Sequence, residues 1–297
     1  MRLLGALYLT TAAAIWGGVY VVSKFVLDYV PPLTLLTVRL LIAGVILGAI
    51  TVYQRQWRAE RRHQPLLWSL GLIGFTASLA LQFFGTKLSS AHNGGLITSA
   101  SPAFIVLFAV WVLKERQSWV QWVALGLATV GVLAVVGPET QSAAAGSTVW
   151  LGNLCLIGAS VTWGLYTVLS KLACRYYSSL TVTTYATLTG LVFTTPLALA
   201  TERHAVVWSS LPASVWWGIA YVGIISTAVA FYLWVRGFAL IDAGTGSLFF
   251  FAQPLVAAVL GALVLGETLR WYFFLGAGFI FAGLVVSALG ARSDGSP

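Results

Sequence analysis

The chain has 297 residues, of which 59% are hydrophobic and only 8% are charged, whereas a soluble domain carries roughly 25% charged residues. This composition excludes a soluble fold, whose exterior must be largely polar, and indicates a chain embedded in lipid. The net charge of +8 does not indicate a nucleic-acid partner, because the basic residues occupy short gaps between apolar stretches and form no single basic face.

Ten apolar segments are each long enough to cross a bilayer, which takes about 20 residues in a helix. The sequence therefore predicts an all-α integral membrane protein with ten transmembrane helices. The predicted spans cover residues 3–23, 33–53, 66–86, 93–113, 118–137, 149–170, 180–200, 213–235, 244–265 and 270–290. None of the connections is long enough to hold a soluble domain, so a functional site must lie within the helix bundle.

The loops on the two sides of the membrane differ in their number of basic residues. If the amino terminus is in the cytoplasm, eleven lysines and arginines fall in cytoplasmic loops and termini and four fall outside. Basic residues favour the cytoplasmic side. We therefore expect a multi-pass protein of the cell (inner or plasma) membrane with both termini in the cytoplasm, and no cleavable signal peptide, because the first apolar segment is itself long enough to span.

The two halves of the chain repeat each other. A Trp-Gly pair precedes a Ser-Lys pair at the same spacing twice, at Trp16-Gly17 with Ser23-Lys24 and at Trp163-Gly164 with Ser170-Lys171. Later matches pair Pro102 with Pro254, Glu115 with Glu267, Gly126 with Gly278, and Gly131 with Gly283. The offset is 147 residues for the first match and 152 for the later ones, and the preserved order indicates a duplicated unit.

This repeat predicts two domains, a first five-helix repeat at 1–141 and a second at 149–290. Because each unit contains an odd number of spans, the second copy must be inverted relative to the first. Inverted repeats suit alternating access around a central site. The pattern therefore favours a transporter over a membrane enzyme.

Several of these elements resemble a known family. The Trp-Gly element, the stretch from Ser101 to Arg116 and its partner from Gln253 to Glu267 resemble the drug/metabolite transporter superfamily. The chain is similar to the ten-helix EamA-type exporters of that superfamily over nearly all its length. The resemblance implies two five-helix bundles around a central cavity and export of amino acids or related metabolites. The aromatic-rich spans are most similar to those of the aromatic amino acid exporters.

Prolines break two of the predicted spans. Pro102 and Pro254 lie near the middle of the fourth and ninth spans, where the carbonyl four residues earlier loses its hydrogen-bond donor. In lipid such a carbonyl is tolerated only against protein or a watery cavity. We therefore expect Ser101 and Gln253, which precede the prolines, to line the pathway. The alternative is a packing kink without ligand contact.

Aromatic residues share helix faces at matched positions. Trp16 and Tyr20 are four residues apart, and Trp163 and Tyr166 are three apart, so each pair lies on one face. Rings with one polar tip suit an amphipathic substrate or its ammonium group, whereas an interfacial belt is the commoner site for such residues. Tyr232 is a further candidate in the eighth span, although its neighbour in the chain must point in another direction.

Three polar residues have two interpretations each. Gln82 in the third span binds either the substrate or a neighbouring helix. His92 is either a solvated loop residue or a group that responds to pH. Arg39 lies in the second span, where a charge costs roughly 2.5–3.5 kcal/mol on insertion scales. We expect it to pair with a helix end or carbonyl or to reach the outer surface, and contact with a substrate carboxylate is the alternative.

The charge pattern also limits the function. No acidic residue lies in the middle of a predicted span, so the carboxylate of a proton relay is missing and the cargo is expected to be neutral or zwitterionic. Broad efflux of apolar compounds, an intramembrane enzyme and a passive channel are the alternatives. We expect no catalytic residues, metal or cofactor. The expected partners are a small-molecule substrate and the bilayer, with the protein a monomer or weak dimer.

Overall fold

A computed structural model describes residues 2–89, 91–136, 147–203, 206–256, 259 and 271–293. Helices occupy these residues at all ten positions where the sequence predicts a span. The first half contains Arg2–Gly17 and Val19–Leu27 in span 1, Pro32–Tyr53 in span 2, Gln64–Leu70, Gly71–Ser78 and Leu79–Leu88 in span 3, Ala91–Thr98, Ser101–Phe108 and Ala109–Leu113 in span 4, and Trp119–Val136 in span 5.

The second half follows the same plan. It contains Ser147–Ala173 in span 6, Ser179–Thr201 in span 7, Ala213–Ala220, Tyr221–Val229 and Ala230–Phe238 in span 8, Ala243–Leu248 and Phe249–Phe251 in span 9, and Trp271–Ser293 in span 10. Span 9 continues as a helix over 252–256. The residues outside the described part of the chain include 257–258 and 260–265 of predicted span 9, residue 137 of predicted span 5, residue 270 of predicted span 10, and Glu267.

Length and composition support a membrane fold. Six helices of the described residues are long and apolar enough to cross a bilayer, and three shorter apolar helices accompany them at Ser101–Leu113, Trp119–Gly131 and Phe274–Gly283. Large apolar side chains such as Trp111 and Trp217 are more than 70% exposed, as expected where a helix faces lipid. The predicted all-α membrane fold is confirmed.

Local sequence signals set several helix ends. Pro32 occupies the first turn of span 2, where its missing N–H costs nothing because that group would have no partner in the helix. The Ser178 hydroxyl accepts a hydrogen bond from the Thr181 N–H at the start of span 7. The Asp242 carboxylate accepts one from the Thr245 N–H at the start of span 9. These side chains satisfy N–H groups that a helix start leaves free.

The two repeats meet along spans 5 and 10, which pack against each other. A Cβ at Gly131 would lie 2.6 Å from the Gly276 carbonyl oxygen, and a Cβ at Gly283 would lie 2.7 Å from the Ala124 carbonyl oxygen. Gly283 and Gly276 each follow their counterparts, Gly131 and Ala124, by 152 residues. The same contact is therefore made twice, once from each half, and only glycine permits this close approach.

A second pair of contacts links a span of one repeat to a span of the other. Gly85 in span 3 packs on Leu156 in span 6, and Gly237 in span 8 packs on Leu9 in span 1. A Cβ added at either glycine would lie 2.6 Å from the Cγ of the leucine that it contacts. Gly237 follows Gly85 by 152 residues and Leu156 follows Leu9 by 147. The two sequence offsets of the repeat therefore convert one of these glycine–leucine contacts into the other.

Four central spans depart from regular α-helix where they approach one another. Span 1 is interrupted at Gly18 and span 4 at 99–100. Spans 3 and 8 contain π-helical segments at the matched positions Gly71–Ser78 and Tyr221–Val229. π-Helical turns shift backbone and side chains from the α-helical register and occur frequently at functional sites. These irregular segments surround the cavity described next.

Candidate functional site

A cavity lies at the centre of the bundle, between side chains of spans 1–4, 6, 8 and 9. It is lined by Trp16, Val19, Tyr20, Arg39, Ser78, Leu79, Gln82, Thr98, Ser101, Ala159, Trp163, Ser226, Phe231, Phe250 and Gln253. Its volume is about 40 Å³, which accommodates a few water molecules. Sites for small organic ligands are roughly 300–1,000 Å³, so a substrate enters only if the surrounding side chains move apart.

Aromatic rings form one wall of the cavity. The ring of Trp16 meets those of Trp163 and Phe231 edge to face, with centroids 5.1 and 5.3 Å apart. Phe250 lies 6.4 Å from both tryptophans, and Trp234 packs behind them, 5.2 Å from Trp16. Edge-to-face pairs place the positive edge of one ring on the negative face of another. The result is an apolar, polarizable surface built from both halves of the chain.

The break in span 1 frees backbone carbonyls, and side chains from spans 8 and 9 bind them. Tyr221 donates a hydrogen bond to the Ile15 carbonyl, and the Gln253 amide donates to the Trp16 carbonyl over 3.4 Å. In return, Trp16 Nε1 donates to the Ser226 carbonyl at 3.0 Å, within the π-helical segment of span 8. The irregular backbones are thus held by side chains, and two of these, Trp16 and Gln253, also line the cavity.

A cluster of polar side chains lies beside the aromatic wall. The Thr98 hydroxyl donates to the Gly94 carbonyl at 2.6 Å, so its oxygen accepts the hydrogen bond from the Tyr20 hydroxyl at 2.6 Å. The side chains of Gln82 and Gln253 also approach the Tyr20 hydroxyl. Spans 1, 3, 4 and 9 therefore each contribute a polar side chain to one region of the cavity.

Several buried polar atoms around the cavity have no hydrogen-bond partner among the described residues. They are Arg39 Nη1, Ser101 Oγ, Trp163 Nε1, Tyr166 Oη and Gln253 Oε1. Such atoms are rare in native interiors, because losing water without gaining a partner costs roughly 1–3 kcal/mol each. Four of these residues, Arg39, Ser101, Trp163 and Gln253, line the cavity, which indicates a site that a polar ligand or water completes.

The structure brings most of the sequence-predicted residues together. Trp16, Tyr20, Gln82, Ser101, Trp163 and Gln253 all line the cavity. Tyr166 is fully buried behind Trp163, with ring centroids 5.3 Å apart. Pro102 follows the break in span 4, and Pro254 follows the 3₁₀ turn of span 9. The side chain of His92 lies outside the described residues.

Tyr232 does not reach the cavity. It is half-buried and packs against Ala43, Leu47, Leu180 and Ala228 at the contact of spans 2, 7 and 8. Its neighbour Phe231 lines the cavity instead. Consecutive residues of a helix point about 100° apart, so Tyr232 and Phe231 face different neighbours.

The hydrogen-bond partners of Arg39 differ from those expected from the sequence. Arg39 is 1% exposed, so it does not extend to the outer surface, and among the described residues its hydrogen-bond partners are hydroxyls and not carbonyls. Its Nε donates to the Thr227 hydroxyl at 2.8 Å and its Nη2 to the Ser226 hydroxyl at 3.4 Å. The π-helical segment of span 8, which hydropathy does not reveal, supplies these hydroxyls.

Sequence reasoning missed several residues of the lining, notably Thr98, Phe231 and Phe250. The repeat contains a signal that would have found two of them, because Thr98 and Phe250 each stand four residues before one of the two central prolines and are 152 residues apart. Phe231 and Leu79 are separated by the same offset, and both line the cavity. Equivalent positions of the two halves thus contribute equivalent parts of the wall.

The part of the chain that the structure describes contains no group of three or more His, Cys, Asp or Glu side chains placed to hold a metal ion. Cys155 and Cys174 are free thiols. The chemistry available at the cavity is therefore that of aromatic faces, hydroxyls, amides and one guanidinium.

Comparison with known proteins matches the same family to both halves of the chain. The model of the EamA-like transporter family matches residues 3–137 and again residues 150–289. The chain is 27% identical to the uncharacterized transporter YetK of Bacillus subtilis (strain 168) over 286 residues, which cover 95% of this chain and 86% of that protein.

Another relative carries a more specific name. The probable terminal-alkyne amino-acid exporter of Streptantibioticus cattleyicolor is 26% identical over 296 residues, covering 98% of this chain and 96% of that protein. A solved crystal structure matches all of both chains with a TM-score of 0.82 at 21% identity. That match establishes the fold alone.

Proposed function

The chain belongs to the EamA-like transporter family, and we propose that it exports small neutral or zwitterionic metabolites, foremost amino acids including aromatic ones, by alternating access. The observation that carries this proposal is the central cavity, in which an aromatic wall stands beside unpartnered polar atoms. An aromatic amino acid has the same two chemical parts. The similarity to a relative named as a probable amino-acid exporter gives separate support.

The individual atoms suit such a substrate. The faces of Trp16 and Trp163 would hold an aromatic or aliphatic side chain, since ring stacking and edge contacts stabilise apolar groups. The Oε1 atom of Gln253, which lacks a partner among the described residues, is an acceptor suited to an ammonium group. The Ser101 hydroxyl is available as a donor or acceptor. A carrier therefore needs no residues beyond those at the cavity to bind a zwitterion.

Alternating access follows in this proposal from the arrangement of the halves. The second repeat is taken to be inverted, because each repeat has five spans, and both termini are taken to be cytoplasmic in the inner or plasma membrane. Tags on the two termini test this topology: protease added outside intact cells should cleave neither tag. Cleavage of one tag alone would show that the halves are not inverted.

Broad efflux of apolar compounds is the second candidate. The apolar aromatic wall favours it, because such a surface discriminates little among hydrophobic ligands. The polar atoms without partners favour the amino acid, since an apolar ligand would leave them unsatisfied. An intramembrane enzyme gains no support from the family or from relatives named as transporters.

Flux measured in proteoliposomes tests the proposal. Purified protein would be reconstituted and the movement of a panel of labelled amino acids followed, with empty liposomes as the control. We expect saturable transport that unlabelled aromatic amino acids compete. Transport of apolar dyes without any amino acid would favour the second candidate. Turnover of the substrate into a product would indicate an enzyme.

A further inference from the structure

Among the described residues that line the cavity, Arg39 of span 2 is the one with a basic side chain, and the fold alone does not explain its function. The residue is 1% exposed, and its guanidinium has five N–H donors. Nε and Nη2 donate to the hydroxyls of Thr227 and Ser226, while Nη1 has no partner among the described residues. Donors therefore remain available at a group that already lines the cavity.

Within the part of the chain that the structure describes, no carboxylate balances the positive charge of Arg39. Both hydrogen-bond partners are neutral hydroxyls, and the ring of Phe83, 5.2 Å from the guanidinium carbon, offers only its quadrupole. No described Asp or Glu lines the cavity. Burying an ion without a countercharge is costly. An anionic group arriving from outside the protein would supply that countercharge.

The charge also belongs to one half of the chain only. The packing contacts of the scaffold recur in both repeats, as at Gly131 and Gly283. The corresponding span 7 of the second repeat, predicted at residues 180–200, contains no charged residue. A charge that served the shared scaffold would be expected twice. One guanidinium in an otherwise duplicated site gives that site a polarity suited to an asymmetric ligand.

We propose that Arg39 binds a carboxylate of the transported substrate, and this inference rests on the proposed function of the same cavity. The planar guanidinium donates to the two carboxylate oxygens in the bidentate geometry that arginine favours. Trp16, Trp163 and Phe231 then contact the remainder of the molecule. The site thus selects compounds that have both an apolar body and a carboxylate.

Binding of matched compounds to the purified protein in detergent tests this assignment. The probes are phenylalanine, phenylalanine amide and 3-phenylpropanoate, with leucine and leucine amide as the aliphatic pair, measured by calorimetry. We expect phenylalanine and leucine each to bind the wild-type protein at least about tenfold more tightly than the corresponding amide, as a charge-assisted pair requires, and 3-phenylpropanoate, which keeps the carboxylate, to bind more tightly than phenylalanine amide. In the Arg39→Gln variant this ratio should fall to about one.

Two further variants separate recognition from a structural effect of Arg39 on span 8. Arg39→Lys keeps the charge and should retain part of the preference, because an ammonium still attracts a carboxylate without the bidentate geometry. Arg58→Gln, at an exposed loop arginine, is the matched control and should keep the full ratio. Loss of packing alone would weaken acids and amides equally and leave the ratio unchanged.

The outcomes distinguish this inference from the proposed function. If wild-type protein binds acids and amides equally, or if Arg39→Gln retains the preference, carboxylate binding by Arg39 is wrong and an amino-acid carrier still stands. If no compound of the panel binds, both proposals are wrong. Should Arg39→Gln fail to fold, the ratio of acid to amide affinity in the wild type and in Arg39→Lys still decides whether Arg39 binds the carboxylate.

Discussion

Trp16 and Trp163 occupy equivalent positions of the two repeats, and their rings meet edge to face with centroids 5.1 Å apart. Two equivalent residues can touch only close to the axis that relates the two halves. The candidate substrate site therefore lies where the repeats meet, and each half supplies one tryptophan. Relative motion of the halves would separate these rings and enlarge a cavity that now has a volume of about 40 Å³.

Replacement of Trp163 should impair transport without abolishing expression. Trp163→Ala removes a wall of the cavity, and we expect flux to fall on the order of tenfold, since a lost aromatic contact costs roughly 0.5–1.5 kcal/mol beyond its buried area. Trp163→Phe, which keeps a ring, should retain more activity. Trp217→Ala, at a residue that is 77% exposed, is the matched control. Unchanged kinetics in Trp163→Ala would remove this residue from the site.

The contact of spans 5 and 10 should tolerate no added methyl group. A Cβ at Gly131 would lie 2.6 Å from a backbone oxygen, whereas a Cβ at Gly126 in the same helix would meet nothing within 4 Å. We expect Gly131→Ala to lower the free energy of unfolding by about 1–3 kcal/mol through overpacking. Gly126→Ala should be neutral or slightly stabilising. Thermal unfolding in detergent compares them, and equal melting temperatures would contradict the close packing.

An ion pair should stabilise the packing of the spans. Lys171 Nζ lies 2.8 Å from Glu115 Oε1 and donates to the Ile241 carbonyl, while Glu115 Oε2 accepts a hydrogen bond from the Ala243 N–H. We expect Glu115→Gln and Lys171→Met each to lower the unfolding free energy by about 1–3 kcal/mol. The double variant should lose less than the sum, because the two residues share partners.

The exposed pair of Glu60 and Arg62 is the control for that ion pair. Both side chains are more than 60% exposed, and surface pairs contribute only about 0–1 kcal/mol. Glu60→Gln should therefore leave the melting temperature nearly unchanged. Strict additivity in the double variant of Glu115 and Lys171 would show that the pair does not act as a unit.

The thiol of Cys174 should react slowly with alkylating reagents. Burial raises the pKa of this thiol to about 11, and only the thiolate is nucleophilic. At neutral pH the folded protein should therefore be alkylated far more slowly at Cys174 than the detergent-unfolded chain. The rate should increase as pH rises toward 11. Mass spectrometry of a Cys155→Ser variant measures this single thiol, and equal rates in the folded and unfolded chain would contradict the raised pKa.

The fold was largely predictable because the signals for it are strong in sequence. Apolar segments of about 20 residues mark membrane spans, and spacings shared by Trp16 and Trp163 mark the repeat. The same repeat pointed to Ser101 and Gln253, whose positions before a proline imply a broken helix at a cavity. These residues do lie together.

The rotation of individual spans was not predictable in the same way. In lipid, the outer and the inner face of a helix are both apolar, so hydropathy does not tell which side faces the centre. Tyr232 was assigned to the cavity although Phe231 occupies it. The partners of Arg39 lie in the π-helical segment Tyr221–Val229, whose shifted register follows from packing and not from local composition.

Accessibility of residue 101 from the two sides of the membrane tests the central claim most directly. Ser101 is 1% exposed at the cavity between the halves. It would be replaced by cysteine in a variant that lacks Cys155 and Cys174, and a membrane-impermeant thiol reagent would be applied from each side in turn. The account predicts labelling from either side, slowed in both cases by a saturating transported amino acid. Labelling from one side only, or labelling that the substrate leaves unchanged, would contradict alternating access through this cavity.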